Sequence, residues 1–274
     1  MSSAGKATDT QEPGAPSACE RRVLLERTGP IATITLDRPQ SLNAMSSEMY
    51  REITDALRTV DEDPEIRVAI VTGRGGRAFS AGADLKEMHQ EPGADGQWAP
   101  WRPRRWDLGL PVAKPLIAAI DGYAIAGGLE LALFCDIRIA TPRSQFGCPE
   151  IKWNLIHGFG ALRLPRIVGL SNAMLLLMTG DFIDATEALR IGLISRIVEP
   201  PELMAEAQRL AEAIAEKASN AVQITKELAL RGLEGTLEQN LRLYHEYMAR
   251  LEGSEEQLQR TGGFGSDRGK AEDG

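Results

Sequence analysis

Residues 116–142 read LIAAIDGYAIAGGLELALFCDIRIATP, from Leu116 to Pro142. The stretch opens on a short, wholly apolar run, Leu116 to Ile120, of the kind that a sheet buries on both faces. A further strand leads into the turn Ala126-Gly127-Gly128, and LELALF follows as a helix. The alternation of DIRIATP then marks another strand. Strands that alternate with helical segments argue an α/β fold. One residue resists that pattern. Glu130 is the only charge between Asp121 and Asp136, and its helical neighbours are apolar or glycine. An ionised carboxylate in such company is costly unless it is paired or its pKa moves.

The same alternation extends outward. Residues 22–37 switch between apolar and polar around Gly29-Pro30 and predict a β-hairpin. From Ser46, a plausible N-cap, Met49, Ile53, Leu57 and Val60 share one helical face, and Pro64 lies beyond the end. IRVAIVTG, residues 66–73, is a buried strand. After about residue 170 the pattern becomes helical. SNAMLLLMTG and DATEALRIG each end at a glycine, where a C-cap is expected. A later helix carries Leu203, Leu210 and Ile214 along one stripe, and the next carries Leu237, Leu241, Tyr244 and Met248. Such a block either covers its own core or packs against another subunit.

Composition sets outer bounds. A formal net charge of −8 disfavours broad binding to nucleic acid or anionic membranes. No apolar run reaches the ~18 residues of a membrane span. Three cysteines, Cys19, Cys135 and Cys148, are too few and scattered for a disulfide framework, which fits a reducing, cytoplasmic setting. The histidines, His89, His157 and His245, show no metal-ligand spacing, so no metal is expected. Residues 1–20 read as a disordered tail and 261–274 as a flexible one. The Pro- and Gly-rich loop after His89 holds Trp98, Trp101 and Trp106 among Arg102, Arg104 and Arg105. It predicts a lid over an apolar ligand rather than a base-stacking surface.

Residues 72–85, TGRGGRAFSAGADL, match two familiar patterns badly. A dinucleotide fingerprint would need a helix at once, and here the chain turns again at Ala81-Gly82. A nucleophile elbow at Ser80 lacks the strand directly before it. A simpler reading treats Ala81-Gly82-Ala83 and Ala126-Gly127-Gly128 as two strand-to-helix turns of small residues. Each exposes backbone N–H groups, and together they could bind one oxyanion. Glu150, in FGCPEIKW, is a second acid in mostly apolar company. Two such carboxylates suggest general acid–base chemistry.

Taken together, ITLDRPQSLNAMS, AFSAGADLKEM, KPLIAAIDGYAIAGGLELALFCDIRIA, FGCPEIKWNLI and TGDFIDATEALRIGLISRIV resemble the enoyl-CoA hydratase/isomerase (crotonase) superfamily over about residues 22–260. The resemblance implies an α/β spiral of ββα units, here residues 21–198, and a C-terminal helical oligomerisation region, residues 199–260. It implies an acyl-CoA thioester as substrate, with coenzyme A as part of that substrate and no separate cofactor, and a homotrimer or a hexamer of paired trimers.

The oxyanion hole maps onto the backbone N–H groups of Ala81 and Gly127. The two acids of the hydratase branch map onto Glu130 and Glu150. Gly158 maps onto a water-holding N–H, and Ala44, Ala83, Asp84 and Leu85 onto the CoA channel. Keeping both glutamates favours hydration, or its reverse, over isomerisation or another lyase reaction; a non-catalytic acyl-CoA-binding oligomer is the alternative of another class. The chain departs from the family where many relatives read P-G-A-G-G. Here it reads HGFGA, with His157 in place of proline and Phe159 beside the acyl pocket. Together with the tryptophan-rich loop, this suggests a bulky acyl group.

Overall fold

The computed structural model describes residues 22–86 and 105–262. Cys19, His89, Trp98, Trp101, Arg102 and Arg104 lie outside the described residues, as do the 1–20 tail and residues 263–274. Strands β1 (Val23–Thr28) and β2 (Ile31–Leu36) form the expected hairpin, with Val23 opposite Leu36 and Thr28 opposite Ile31. Strands β3 (Val68–Gly73), β5 (Leu116–Ile120), β7 (Ile137–Ala140) and β10 (Arg196–Ile197) continue that sheet in the order β1-β2-β3-β5-β7-β10, all parallel from β2 onward. A second sheet orders β4 (Ala78–Ser80), β6 (Tyr123–Ile125), β8 (Gln145–Gly147) and β9 (Phe182–Asp184). Each pass through β3–β4, β5–β6 and β7–β8 gives one strand to each sheet, which is the repeating turn of a spiral.

The large sheet is covered on both faces, which explains why LIAAI carries no polar residue. On one face α1 (Ser47–Glu62) buries Met49, Ile53, Leu57 and Val60 against Ile34, Leu36, Leu116 and Ala118. Ser46 caps this helix by accepting from the Met49 N–H at 3.2 Å. On the other face lies a later helix, α6 (Leu203–Ala215). It buries Leu203, Ala207, Ala211 and Ala215 against Ile31, Val68, Ile70, Ile117 and Ile139. Leu210 and Ile214, expected on the stripe, sit at its edge, because the alanines let the helix axis approach the sheet more closely. α6 therefore covers its own core.

Helix α8 (Leu237–Leu251) behaves differently. Thr236 and Gln239 form a capping box at its start. Its stripe, Leu237, Leu241, Tyr244 and Met248, faces outward.

In the decisive stretch, Asp136 ties strand to strand. Its Oδ2 accepts from the Leu116 N–H at 2.8 Å and pairs with Lys226 at 2.8 Å. Gly128 lies in helix α2 (Gly127–Phe134), where a Cβ would overlap the Ser80 carbonyl. The Gly-Gly step thus lets α2 start directly against β4. Trp106 departs from the lid expectation made for its loop, whose part before Arg105, with Trp98 and Trp101, lies outside the described residues. It is fully buried, stacked on Tyr50 with ring centres 5.7 Å apart and edge-on to Phe134 at 6.0 Å. Because Trp106 joins the core, it cannot swing over a ligand.

Candidate active site

A cavity of about 980 Å³ opens between the N-terminus of α2, the turn after β4 and the segment around Glu150. Ala81, Ala83, Leu85, Gly127, Glu130, Glu150 and Gly158 all line it. Seven residues separated by up to 77 positions in sequence are thus brought to the wall of one cavity. Ala44 and Asp84 stand apart from that wall. Asp84 pairs with Arg38 at 3.1 Å, and the same guanidinium donates to the Ala44 carbonyl at 2.7 Å. These two fix the loop behind the cavity rather than its surface.

The turn after β4 is held from behind. The Ser80 hydroxyl donates to the Asn43 carbonyl at 2.8 Å and accepts from the Gly82 N–H at 3.1 Å. Ser80 is fully buried, so it is a structural pin and not a nucleophile. The Met45 N–H donates to the Gly82 carbonyl at 2.7 Å, and the Asp84 N–H donates to the Met45 carbonyl at 2.9 Å. In that parallel bridge the N–H of Ala83 points the opposite way.

The expected Ala81 donor therefore needs correction. Its N–H donates to the Leu42 carbonyl at 3.0 Å and is not available to a ligand. Among the described residues, no backbone carbonyl accepts from Ala83 or Gly127. Gly127 is the first residue of α2, where the helix leaves its N–H without an internal partner. The two turns touch: a Cβ on Gly82 would come within 2.9 Å of the Gly127 nitrogen. Ala126 precedes them at φ +53°, a conformation that favours glycine and costs an alanine about 1–3 kcal/mol. That strain turns β6 sharply into α2 and aims the helix start at the cavity.

Glu130 stands one turn into α2 and is 9% exposed. Its Oε1 accepts from the Gly160 N–H at 3.2 Å, in the first turn of α3 (Gly158–Val168). The N-cap of α3, His157, makes no side-chain cap bond, so a carboxylate from another helix takes that place. The positive end of α3 favours the ionised form locally. Burial nevertheless pushes Glu130 above the ordinary carboxylate range. Proximity to Glu150 adds to the rise, while a proton on His157 and the Gly160 N–H oppose it.

Glu150 lies in a short 3-10 segment, Pro149–Trp153, whose following residues Ile151, Lys152 and Trp153 are exposed. Its Oε1 is 2.7 Å from His157 Nδ1, and its Oε2 is buried without a protein partner among the described residues. The His157 ring packs against the bare backbone of Gly160, where a Cβ would overlap it. His157 is thus directed at an acid and does not line the cavity, whereas Phe159 does.

The sequence reading missed Tyr50. Its hydroxyl lies 2.8 Å from where a Cβ on Gly127 would stand. Burial, then the Asp107 carboxylate, holds this phenol far above its ordinary range, so it stays a neutral O–H. The only signal was a tyrosine one position off the buried stripe of α1.

The enoyl-CoA hydratase/isomerase family model matches residues 26–262. A protein of Mycobacterium tuberculosis named "Probable enoyl-CoA hydratase" is 41% identical over 238 residues, 85% of this chain and 92% of its own. The short-chain-enoyl-CoA hydratase of Clostridium acetobutylicum is 38% identical over 240 residues, 86% of this chain and 91% of its own. The crystal structure of an enoyl-CoA hydratase from Bacillus anthracis superposes with a TM-score of 0.84 at 32% identity, covering 90% of this chain and 97% of that one. Match, coverage and the spiral of paired strands agree: the chain belongs to the enoyl-CoA hydratase/isomerase family.

Proposed function

We propose that the protein is an enoyl-CoA hydratase, adding water across the 2,3 double bond of an enoyl-CoA thioester or removing it in reverse. The observation that carries this reading is the placement around one cavity of two glutamates and two backbone N–H groups from which no carbonyl accepts among the described residues. The N–H groups of Ala83 and Gly127 hold the thioester oxygen, and the negative charge that develops there is stabilised where it forms. Glu130, ionised, takes a proton from a water molecule as its oxygen bonds to the β-carbon. Glu150, protonated, gives its proton to the α-carbon. One C–O and one C–H bond form, and one water is consumed; the proton gained by Glu130 returns to Glu150 through solvent before the next cycle. A Cβ on Gly158 would stand 3.6 Å from Glu130 Oε1, and the N–H of this residue, at the start of α3, completes the seat for that water.

The outward stripe of α8 and the exposed Leu162, Leu170, Leu175 and Met178 of α3 and the helix after it, α4 (Leu170–Thr179), support assembly into a homotrimer or a pair of trimers. Among the described residues no helix is long and apolar enough to cross a membrane. Two buried, unbridged cysteines, Cys135 and Cys148, suit a reducing cytoplasm.

The test is loss of the conjugated thioester absorbance of crotonyl-CoA, with Glu130→Gln and Glu150→Gln beside the wild type. Hydration by the wild type and its collapse in both variants is the expected result. A wild type inactive on every enoyl-CoA tried would leave an acyl-CoA-binding oligomer. Full activity in Glu150→Gln would point to one-acid chemistry of the isomerase type.

A further inference from the structure

We propose that His157 is a positioning residue for Glu150, its Nδ1–H fixing which carboxyl oxygen delivers the proton to the substrate α-carbon. This rests on the hydratase reading of the site. The geometry is specific. The His157 side chain is 2% exposed, its Nδ1 is 2.7 Å from Glu150 Oε1, and its Nε2 is buried with no partner among the described residues. That orphan nitrogen decides the tautomer. A proton on Nε2 would face no acceptor, whereas a bare lone pair there leaves no charge or N–H unmet. The proton therefore sits on Nδ1 and is donated to Glu150 Oε1.

Two consequences follow. With Oε1 accepting from His157, the transferable proton of neutral Glu150 is left to Oε2, whose acceptor is the substrate in the cavity that Glu150 lines and His157 does not. As that proton leaves for the α-carbon, negative charge grows on the carboxylate and the Nδ1–H···Oε1 bond becomes charge-assisted and stronger. An interaction that strengthens along the reaction lowers the barrier rather than only binding the ground state.

The fold protects this arrangement. Gly160 leaves the room that the imidazole fills, and the Gly160 N–H holds Glu130 at 3.2 Å. Residues 157–160 thus brace both acids from one turn of chain. A proline at position 157, as many members of the family carry, would offer no donor to Glu150.

The experiment compares wild type, His157→Leu and His157→Asn, whose amide N–H can stand near the place of Nδ1. Two readouts are needed: kcat and KM for crotonyl-CoA hydration, and exchange of the α-hydrogens of butyryl-CoA in D2O by mass spectrometry. Exchange requires Glu150 to take and return an α-proton without water addition. Loss of a hydrogen bond to a charged group predicts a kcat lower by roughly 10- to 100-fold in His157→Leu with KM within about threefold. The expected exchange rate falls in parallel, and His157→Asn recovers most of both.

A His157→Leu protein with an unchanged circular dichroism spectrum and kcat within about twofold of wild type overturns the proposal. So does a folded His157→Asn as impaired in exchange as Glu150→Gln, which decides the matter even if His157→Leu does not fold. A wild type that exchanges α-hydrogens but hydrates nothing sinks the hydratase reading alone, and the exchange series still tests His157. A wild type that does neither overturns both.

Discussion

The two acids are held in opposite ways. Glu130 rides on a helix whose first seven residues are all buried, and its position follows from close backbone approach: Gly128 against the Ser80 carbonyl, Gly127 beside Tyr50 and Met45, Ala126 in a strained turn. Glu150 sits on a 3-10 segment whose following residues are exposed, and its side chain is located by one hydrogen bond, to His157. The first acid is placed by the core and the second by a partner. Substitutions around Glu130 should therefore register as folding defects, and those around Glu150 as kinetic ones.

The largest effect belongs to the acids themselves. Glu130→Gln and Glu150→Gln should each lower kcat for crotonyl-CoA by roughly 10²–10⁴-fold, the usual contribution of a general acid or base. Equal losses fit two acids sharing one cycle; a loss confined to Glu130 would dissolve the comparison. Next comes Gly128→Ala. Its methyl meets a backbone carbonyl that cannot rotate away, and the expected cost is about 1–3 kcal/mol of stability in urea unfolding. Ile151→Ala, beside Glu150 and 49% exposed, should stay within about 0.5 kcal/mol. Gly160→Ala tests the joint between the two regions. It forces the His157 ring out of place and should reproduce the kinetic loss of His157→Leu while Glu130 keeps its N–H donor. Unchanged kcat in a folded Gly160→Ala protein would show that the ring has another place to go.

The core and its periodicities were legible in the residues. LIAAI, the α1 stripe and the Ser46 cap stand where their spacing predicted, because local patterning and burial agree there. The lateral contacts were not. Which N–H of Ala81-Gly82-Ala83 faces the cavity depends on a bridge to Met45, nearly forty positions earlier, and a run of small residues carries no sign of that pairing. The Gly160 N–H that receives Glu130, and the His157 ring against Glu150, come from separate elements whose meeting only the tertiary fold decides. Trp106 misled for the same reason: a Pro/Gly-rich neighbourhood reads as a loop, although this ring enters the core against Tyr50.

The smallest effect reads the cost of placing Glu130 in the core. Burial raises its proton affinity above the ordinary 4.5 of a free carboxyl. Below that value both folded and unfolded chains hold the proton, and the group contributes nothing to stability. As pH rises past it, the unfolded chain releases its proton first, so the folded state binds more protons and loses stability until Glu130 itself ionises. Once Glu130 has ionised, the wild type carries that penalty in full. Glutamine keeps an oxygen to accept from Gly160 and has no charge to bury. Glu130→Gln should thus melt higher than wild type at pH 7 by roughly 1–4 °C, with the difference fading as the pH falls toward 4. If the variant instead melts lower at pH 7, the carboxylate stabilises the start of α3 by more than burial costs it, and Glu130 is held in place by stability as well as by catalysis.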